Sequence, residues 1–308
     1  MSYTVILDIG QKALELALFN SLTVLALFLS YSMLNVCDLS TDGCYALGAA
    51  VGAVVAISGH PWLSLPAAMG AGMLSGLVTA VLQTRMGVNS LLAGIIVNTG
   101  LYSVNIAIMG GSSLLNMNKT KTVFTMLKGL LNSGPTSAML IGAAAVCFVV
   151  AFLCLFLRTR LGLAIRATGD NPDMVRSSSI NPVFTTTVGL CISNSFTALS
   201  GCLLAQSQKS VTVDIGSGMV TVALASLLIG GVFMGRRSIP LRAVGAVLGA
   251  FVFRLVYAIA LRFNLPAFML KLISSVIVVI DISGPYLKSR IPTFTRQLDV
   301  KLGKAGMQ

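Results

Sequence analysis

RTRLGLAIRATGDNPDMVRSSSI, residues 158–180, is a polar island in an apolar chain. It holds four arginines (Arg158, Arg160, Arg166, Arg176) and two aspartates (Asp170, Asp173) in 23 residues, whereas the chain of 308 residues is 10% charged and 56% hydrophobic. Long apolar segments flank the island on both sides. Mean hydropathy is +0.90, and runs of about 20 apolar residues, enough to cross roughly 30 Å of hydrocarbon, recur throughout. The chain therefore reads as all-α, a polytopic transmembrane helical bundle forming a single membrane domain over 1–308, with no room for a soluble catalytic domain.

Nine hydrophobic segments are expected, at 13–36, 43–59, 62–84, 88–109, 137–157, 182–205, 217–235, 241–262 and 265–285. Those at 43–59 and 217–235 are short and rich in small residues, the pattern of broken or re-entrant helices. Basic residues set the orientation. Arg85, the island, the loop with Arg236, Arg237 and Arg242, and the tail 286–308 with Lys288, Arg290, Arg296, Lys301 and Lys304 fall on one side if the spans alternate. That side is expected to be cytoplasmic, with the N-terminus outside. Lys119, Lys121 and Lys128 in the external 110–136 loop run mildly against this rule. That loop reads as an amphipathic surface helix or a docking point for a binding protein.

The net charge of +12 follows from the same cytoplasmic bias, and no nucleic-acid partner is expected. The six cysteines form no CxxC pair and mostly lie inside apolar segments, as small hydrophobes do. A single histidine, His60, cannot build a multi-histidine metal centre. No metal, no cofactor and no catalytic residue is expected. The chain has no phosphate loop, no G-x-S-x-G elbow and no H-E-x-x-H. Uphill transport would then draw on a separate ATPase chain or a coupled ion.

Other residues carry local expectations. Gly48-x-x-x-Gly52 and Gly245-x-x-x-Gly249 are spaced for close helix packing in lipid. SLLAGIIV (Ser90 to Val97) echoes SLLIGGVF (Ser226 to Phe233), a hint of an inverted repeat. Asn98, Tyr102 and Asn105 share one helical face and either join helices by hydrogen bonds or line a translocation path. Asp38 and Asp42 read as capping groups for the short second segment. Arg254 is expected to pair with a carboxylate or carbonyls, Lys271 to snorkel outward, and Asp281 has no assignable partner.

Within the island, LGLAIRA has helical spacing, and Gly169 is expected to break it. Asn171-Pro172 is a helix-start signal: Asn171 caps, and Pro172 suits the first helical position. Asp173 then complements the helix dipole. Two short helices, the second over 172–179, joined by a Thr168-Gly169-Asp170-Asn171 turn would form a stiff knob. By physics alone this is either an ordinary positive-inside loop or a docking knob.

The run from Gly162 to Asn181 resembles the signature of permease subunits of ABC importers in the branched-chain amino acid and ribose permease superfamily. Gly162, Ala164, Arg166, Ala167, Gly169, Asn171 and Ile180 match that pattern, whereas Val175-Arg176 replaces a common alanine pair and Ser179 a common glycine. DLSTDGCYALGAAVGA (Asp38 to Ala53), LLAGIIVNTGLYSVNIAIMG (Leu91 to Gly110) and NMNKTKTVF (Asn116 to Phe124) resemble a narrower branch, predicted to import tryptophan, tyrosine or related compounds. The resemblance implies a type II importer-like bundle in a bacterial cell membrane. Two copies would form the pore, a cytoplasmic ATPase would supply the energy, and an external binding protein would deliver a small, amino acid-like solute. Gly162, Arg166, Thr168, Gly169, Asp170, Asn171, Pro172 and Asp173 would then form the coupling segment within 158–181. The competing readings are an ion-coupled secondary transporter, with Asp42 or Asp281 as its intramembrane carboxylate, and a non-transporting scaffold.

Overall fold

The computed structural model describes residues 3–131, 136–234 and 238–262, together with isolated positions between 272 and 279. The expected segment 265–285, with Lys271 and Asp281, lies outside the described residues but for those positions, as do Arg236, Arg237 and the tail 286–308. The other eight segments are helical. The helices are α1 (Tyr3–Leu27), continued by a π-helical turn (Phe28–Met33), α2 (Thr41–Ile57), α3 (Ser64–Thr84), α4 (Ser90–Ile108), α5 (Val123–Leu131), α6 (Thr136–Phe156), α7 (Arg160–Asp170), α8 (Pro172–Ser177), α9 (Pro182–Gln208), α10 (Met219–Met234) and α11 (Ile239–Arg262). Among the described residues seven stretches are long and apolar enough to span a membrane, and the shorter Thr41–Ile57 is a further apolar helix. Among the described residues the one departure from all-α is a small antiparallel ribbon, β1 (Leu114–Asn116) with β2 (Ser210–Thr212), which pairs Leu115 with Val211.

α9 is the axis of the bundle. Its 27 residues span about 40 Å at 1.5 Å per residue, and α1, α2 and α3 pack around it. Small residues let the backbones meet, as the Gly-x-x-x-Gly spacing predicted. A Cβ on Gly48 would overlap the Ala198 carbonyl, and one on Gly52 the Cys202 sulfur. Gly245 and Gly249 of α11 meet Gly230 and Ser226 of α10 in the same way. Without a hydrophobic drive between helices in lipid, this close contact is what holds them. Peripheral α4 and α6 turn rows of apolar side chains outward, including Leu92, Ile95, Phe148 and Leu155.

Contacts along α9 set the direction of each neighbour. Ser200 Oγ donates to the Phe19 carbonyl and Ser193 Oγ to the Ala26 carbonyl, so α1 is antiparallel to α9. Gly72 packs beside Asn194 and Gly76 beside Leu190, so α3 is antiparallel too and ends at Arg85 near the start of α9. Gly169 of α7 rests on Met33 and Leu34, and Arg242 Nη2 donates to Ser32 Oγ at 2.6 Å. Arg85, the island and Arg242 thus share one end of the bundle, the end that the positive-inside rule assigns to the cytoplasm. α1 begins at the other end.

Both short segments are broken helices. α2 does not start at an end of the bundle: Cys44 Sγ reaches the Asn194 carbonyl at 3.3 Å, about 18 Å along α9 from its first residue. Residues 34–40 climb to that height as irregular chain. Segment 209–218 descends from the opposite end past β2, and α10 starts beside Asp42 at the same height. A long helix, a break, a short helix and a second long helix therefore occur as α1, α2, α3 and again, inverted, as α9, α10, α11. The echo between Ser90–Val97 and Ser226–Phe233 does not fall on matching places of this pattern. The first opens α4 and the second closes α10. Short apolar words recur because apolar helices draw on few residue types.

Candidate functional site

The island folds as two helices at the basic end. Thr159 caps α7, its Oγ1 accepting from Gly162 N at 3.2 Å. Gly162 is needed for contact, since a Cβ there would overlap the Phe156 carbonyl. Ile165 is fully buried with Leu34, Ala80 and Leu190. Thr168 Oγ1 donates to the Ala164 carbonyl at 2.8 Å and lies 2.8 Å from Thr185 Oγ1, which ties α7 to α9. Gly169 does not break the helix as expected. α7 runs through it to Asp170, and the bend falls at Asn171, whose backbone is extended (φ −159°, ψ 102°). Gly169 instead lets α7 lie against the Met33 carbonyl.

Asn171 and Pro172 start α8 as predicted. The Asn171 Oδ1 accepts from Asp173 N and Met174 N, each at 3.1 Å. α8 ends at Ser177, shorter than the expected 172–179. The exposed Asp173–Arg176 pair, at 3.9 Å, contributes little. The eight expected coupling residues thus divide. Gly162, Thr168 and Gly169 face the bundle, Arg166 is half-buried, and Asp170, Asn171, Pro172 and Asp173 are exposed. Sequence reasoning missed Met174, an apolar side chain 67% exposed, and its neighbours on the knob, Leu161 and Leu163. Their signal was present as three large apolar residues inside a polar island.

Ser179 stands at φ +61°, a left-handed conformation that disfavours a Cβ. This explains why glycine suits the position. Ser179→Gly is expected to raise stability by about 0.5–1 kcal/mol, measured as a higher melting temperature in detergent. An unchanged or lower value would refute the strain.

The breaks bring a second set of polar residues together. Asp38, 1% exposed, accepts from Ser40 N at 2.8 Å and Ser40 Oγ at 2.6 Å through Oδ1, and from Asn194 Nδ2 at 2.8 Å through Oδ2. Thr79 of α3 donates to Ser40 Oγ at 3.2 Å. Asp38 thus orders the chain ahead of α2 and ties it to α9. Asp42 was expected to cap its own helix. It caps α10 instead, accepting from Gly218 N at 2.9 Å and Val220 N at 2.8 Å, because the two broken helices start side by side.

Asn98, Tyr102 and Asn105 all border one cavity of about 400 Å³, with Asp42, Asp214 and Ser217. The helix-joining reading of this face is realised at Asn105, and the face also borders a cavity. Asn105 Nδ2 donates to the Gly43 carbonyl at 3.2 Å, joining α4 to α2, while Tyr102, 50% exposed, opens onto the cavity. Asp214 was missed, since only the dip of segment 209–218 brings it here. Away from this cavity, the Arg254 guanidinium lies over the Tyr257 ring at 5.3 Å rather than against a described carboxylate. No metal-competent cluster of His, Cys, Asp and Glu occurs among the described residues.

The loop after α4 forms β1 and the amphipathic α5. Thr122 and Thr125 exchange hydrogen bonds at its start, as in a capping box. Gln206 of α9 ties this region down, its Oε1 accepting from Val123 N at 3.0 Å and its Nε2 donating to Ser64 Oγ.

The chain matches the family model described as branched-chain amino acid transport system / permease component over residues 12–280. It is similar to a tyrosine transport system permease protein of Clostridioides difficile (strain R20291), at 31% identity over 85% of this chain and 86% of that one. It is also similar to the ribose import permease protein RbsC of Escherichia coli (strain K12), at 27% identity over 70% of this chain and 66% of that one. A third relative, the guanosine ABC transporter permease protein NupQ of Bacillus subtilis (strain 168), is 26% identical over 61% of this chain and 60% of that one. No solved structure matches. With its bundle of membrane-competent helices and a family match that runs through the island and both broken helices, the chain belongs to the branched-chain amino acid transport permease family and is a multi-pass membrane protein.

Proposed function

We propose that this chain is the permease subunit of an ATP-binding cassette importer in a bacterial cell membrane. Two copies form the pore. A separate ATPase docks on the α7–α8 knob within 158–181 at the cytoplasmic end. An external binding protein delivers a small amino acid-like solute at the opposite end, and the relative named for tyrosine transport favours an aromatic one. The observation that carries the reading is the knob itself. It is capped at both helix starts, exposed through Asn171, Asp173 and Met174, and seated on Met33–Leu34 just ahead of the first break.

The lever follows from this seating. Closure of two ATPase subunits pushes the knob as a rigid body. The push reaches the chain before α2 and passes through the Asp42 cap to the start of α10. Both broken helices then tilt together, which alternates access to the cavity bordered by Asn98, Tyr102 and Asn105. The ion-coupled alternative loses one of its two carboxylates, because Asp42 is engaged as a helix cap, while Asp281 lies outside the described residues.

Asn171→Ala combined with Asp173→Ala removes the α8 cap, which costs about 1 kcal/mol of local helix stability, and one exposed charge. ATPase co-purification and solute uptake are both expected to fall about tenfold, since 1.4 kcal/mol is a factor of ten. If both stay at wild-type levels, the docking role is wrong.

A further inference from the structure

The cavity between α2, α4 and segment 213–218 has a lining that selects charge. Among its lining residues are two aspartates, Asp42 and Asp214, and no lysine, arginine or histidine, in a chain of net charge +12. The two carboxylates are not equivalent. Asp42 holds the first amides of α10 and sits in the first turn of α2. Two helix N-termini, each equivalent to about half a positive charge, offset it. Asp214 is exposed to the cavity, and its carboxylate makes no hydrogen bond or ion pair with a described residue. The cavity therefore keeps about one net negative charge.

A second observation is independent of charge. Asn105, 1% exposed, borders the cavity with its Oδ1 unpaired. The amide cannot turn round to relieve this. Its Nδ2 faces the Gly43 carbonyl, which only accepts. A buried acceptor without a donor is costly to keep, and a ligand N–H would satisfy it. Asp214 and Asn105 Oδ1 together ask for a positively charged group with several N–H donors, and an ammonium has three. Tyr102 adds an exposed aromatic ring, which favours a cation or an aromatic body beside it. A volume of about 400 Å³ is that of a pocket for a small organic molecule rather than for a bare metal ion.

We propose that this cavity is a recognition site for the ammonium end of the transported solute, with Asp214 and Asn105 as the residues that read it. The proposal rests on the importer reading above and places recognition of the solute's ammonium group, which amino acids share with simple amines, in this cavity. It also makes the permease itself selective, in addition to any selection by the binding protein.

The test uses the full-length permease, co-expressed with its ATPase and purified in detergent. Binding is measured by calorimetry with three probes: tyramine, which has the ammonium and no carboxylate; 3-(4-hydroxyphenyl)propionate, which has the reverse; and sodium chloride. Tyramine is expected to bind and the other two are not. Asp214→Asn is expected to weaken tyramine at least about tenfold, as loss of a charge-assisted hydrogen bond does. Asp214→Glu keeps binding within about threefold, and both variants melt at the wild-type temperature without probe, because Asp214 holds nothing in the fold. Equal binding of the propionate, an equal response to sodium, no tyramine binding, or tyramine binding unchanged in Asp214→Asn would each overturn the proposal. The ATPase in the same preparation separates the two readings. If it co-purifies and tyramine fails to bind, only the recognition site falls. If tyramine binds and the ATPase does not co-purify, the importer reading falls.

Discussion

Asp38→Asn is expected to lower the stability of the protein by about 3 kcal/mol and to abolish uptake. The change is nearly isosteric, so the cost comes from hydrogen bonding alone. Asp38 accepts from three donors, Ser40 N, Ser40 Oγ and Asn194 Nδ2, and is 1% exposed. An asparagine has one acceptor atom where the carboxylate had two. With its oxygen towards Ser40, its Nδ2 meets Asn194 Nδ2, donor against donor, and turning the Asn194 amide over to accept leaves the Asn194 Nδ2 without its acceptor. Turned round itself, the new asparagine leaves the Ser40 N–H unpaired. Either way a buried donor is orphaned, at about 1–3 kcal/mol, and the former charge-assisted bonds are lost as well. The exchange Asp38→Asn with Asn194→Asp restores an acceptor facing a donor. It should recover most of the loss, with a coupling energy of about 2 kcal/mol in a double-mutant cycle. Thermal unfolding in detergent and uptake in membrane vesicles read both. A neutral Asp38→Asn, or an exchange no better than the single change, would refute the tie between the first break and α9.

Gly169→Ala is the second large effect, and its sign is diagnostic. In an ordinary helix interior, alanine is about 1 kcal/mol better than glycine. Here a Cβ would overlap the Met33 carbonyl and lie 2.9 Å from Leu34 backbone atoms. Backbone cannot swing away as the end of a side chain can, so α7 must lift off its seat, at about 1–3 kcal/mol. The outward face, with Asn171 and Met174, is unchanged. The ATPase should therefore still co-purify while uptake drops at least about tenfold. A variant that is more stable and transports normally would show that the knob does not act through Met33–Leu34.

Much of this was legible along the chain. The spans announced themselves by length and apolarity. The Gly-x-x-x-Gly pairs announced close packing, and Asn171-Pro172 a helix start. Arg85, the island and Arg242 were expected at one end and lie there. All of these are local patterns in which neighbours in sequence carry the information. Gly169 misled for the same reason: a glycine near a turn signal reads as a breaker. Its real constraint is the Met33 carbonyl at the end of the π-helical turn, more than 130 residues away. Asp42 beside Gly43 read as the cap of its own helix, and nothing nearby in sequence pointed to Gly218 and Val220 as its partners.

By itself the sequence determined a basic-ended bundle of apolar helices with one stiff polar knob. Bilayer thickness, backbone hydrogen bonding and the positive-inside rule act on each segment alone. Only the tertiary structure decided what the polar residues between and within those segments do. Asp38 became a tie, Asp42 a cap for a distant helix, and Asn105 and Asp214 borders of one cavity. In a low-dielectric interior a polar atom must find whichever partner the packing brings within about 3 Å. Packing here is set by small-residue contacts across helices distant in sequence.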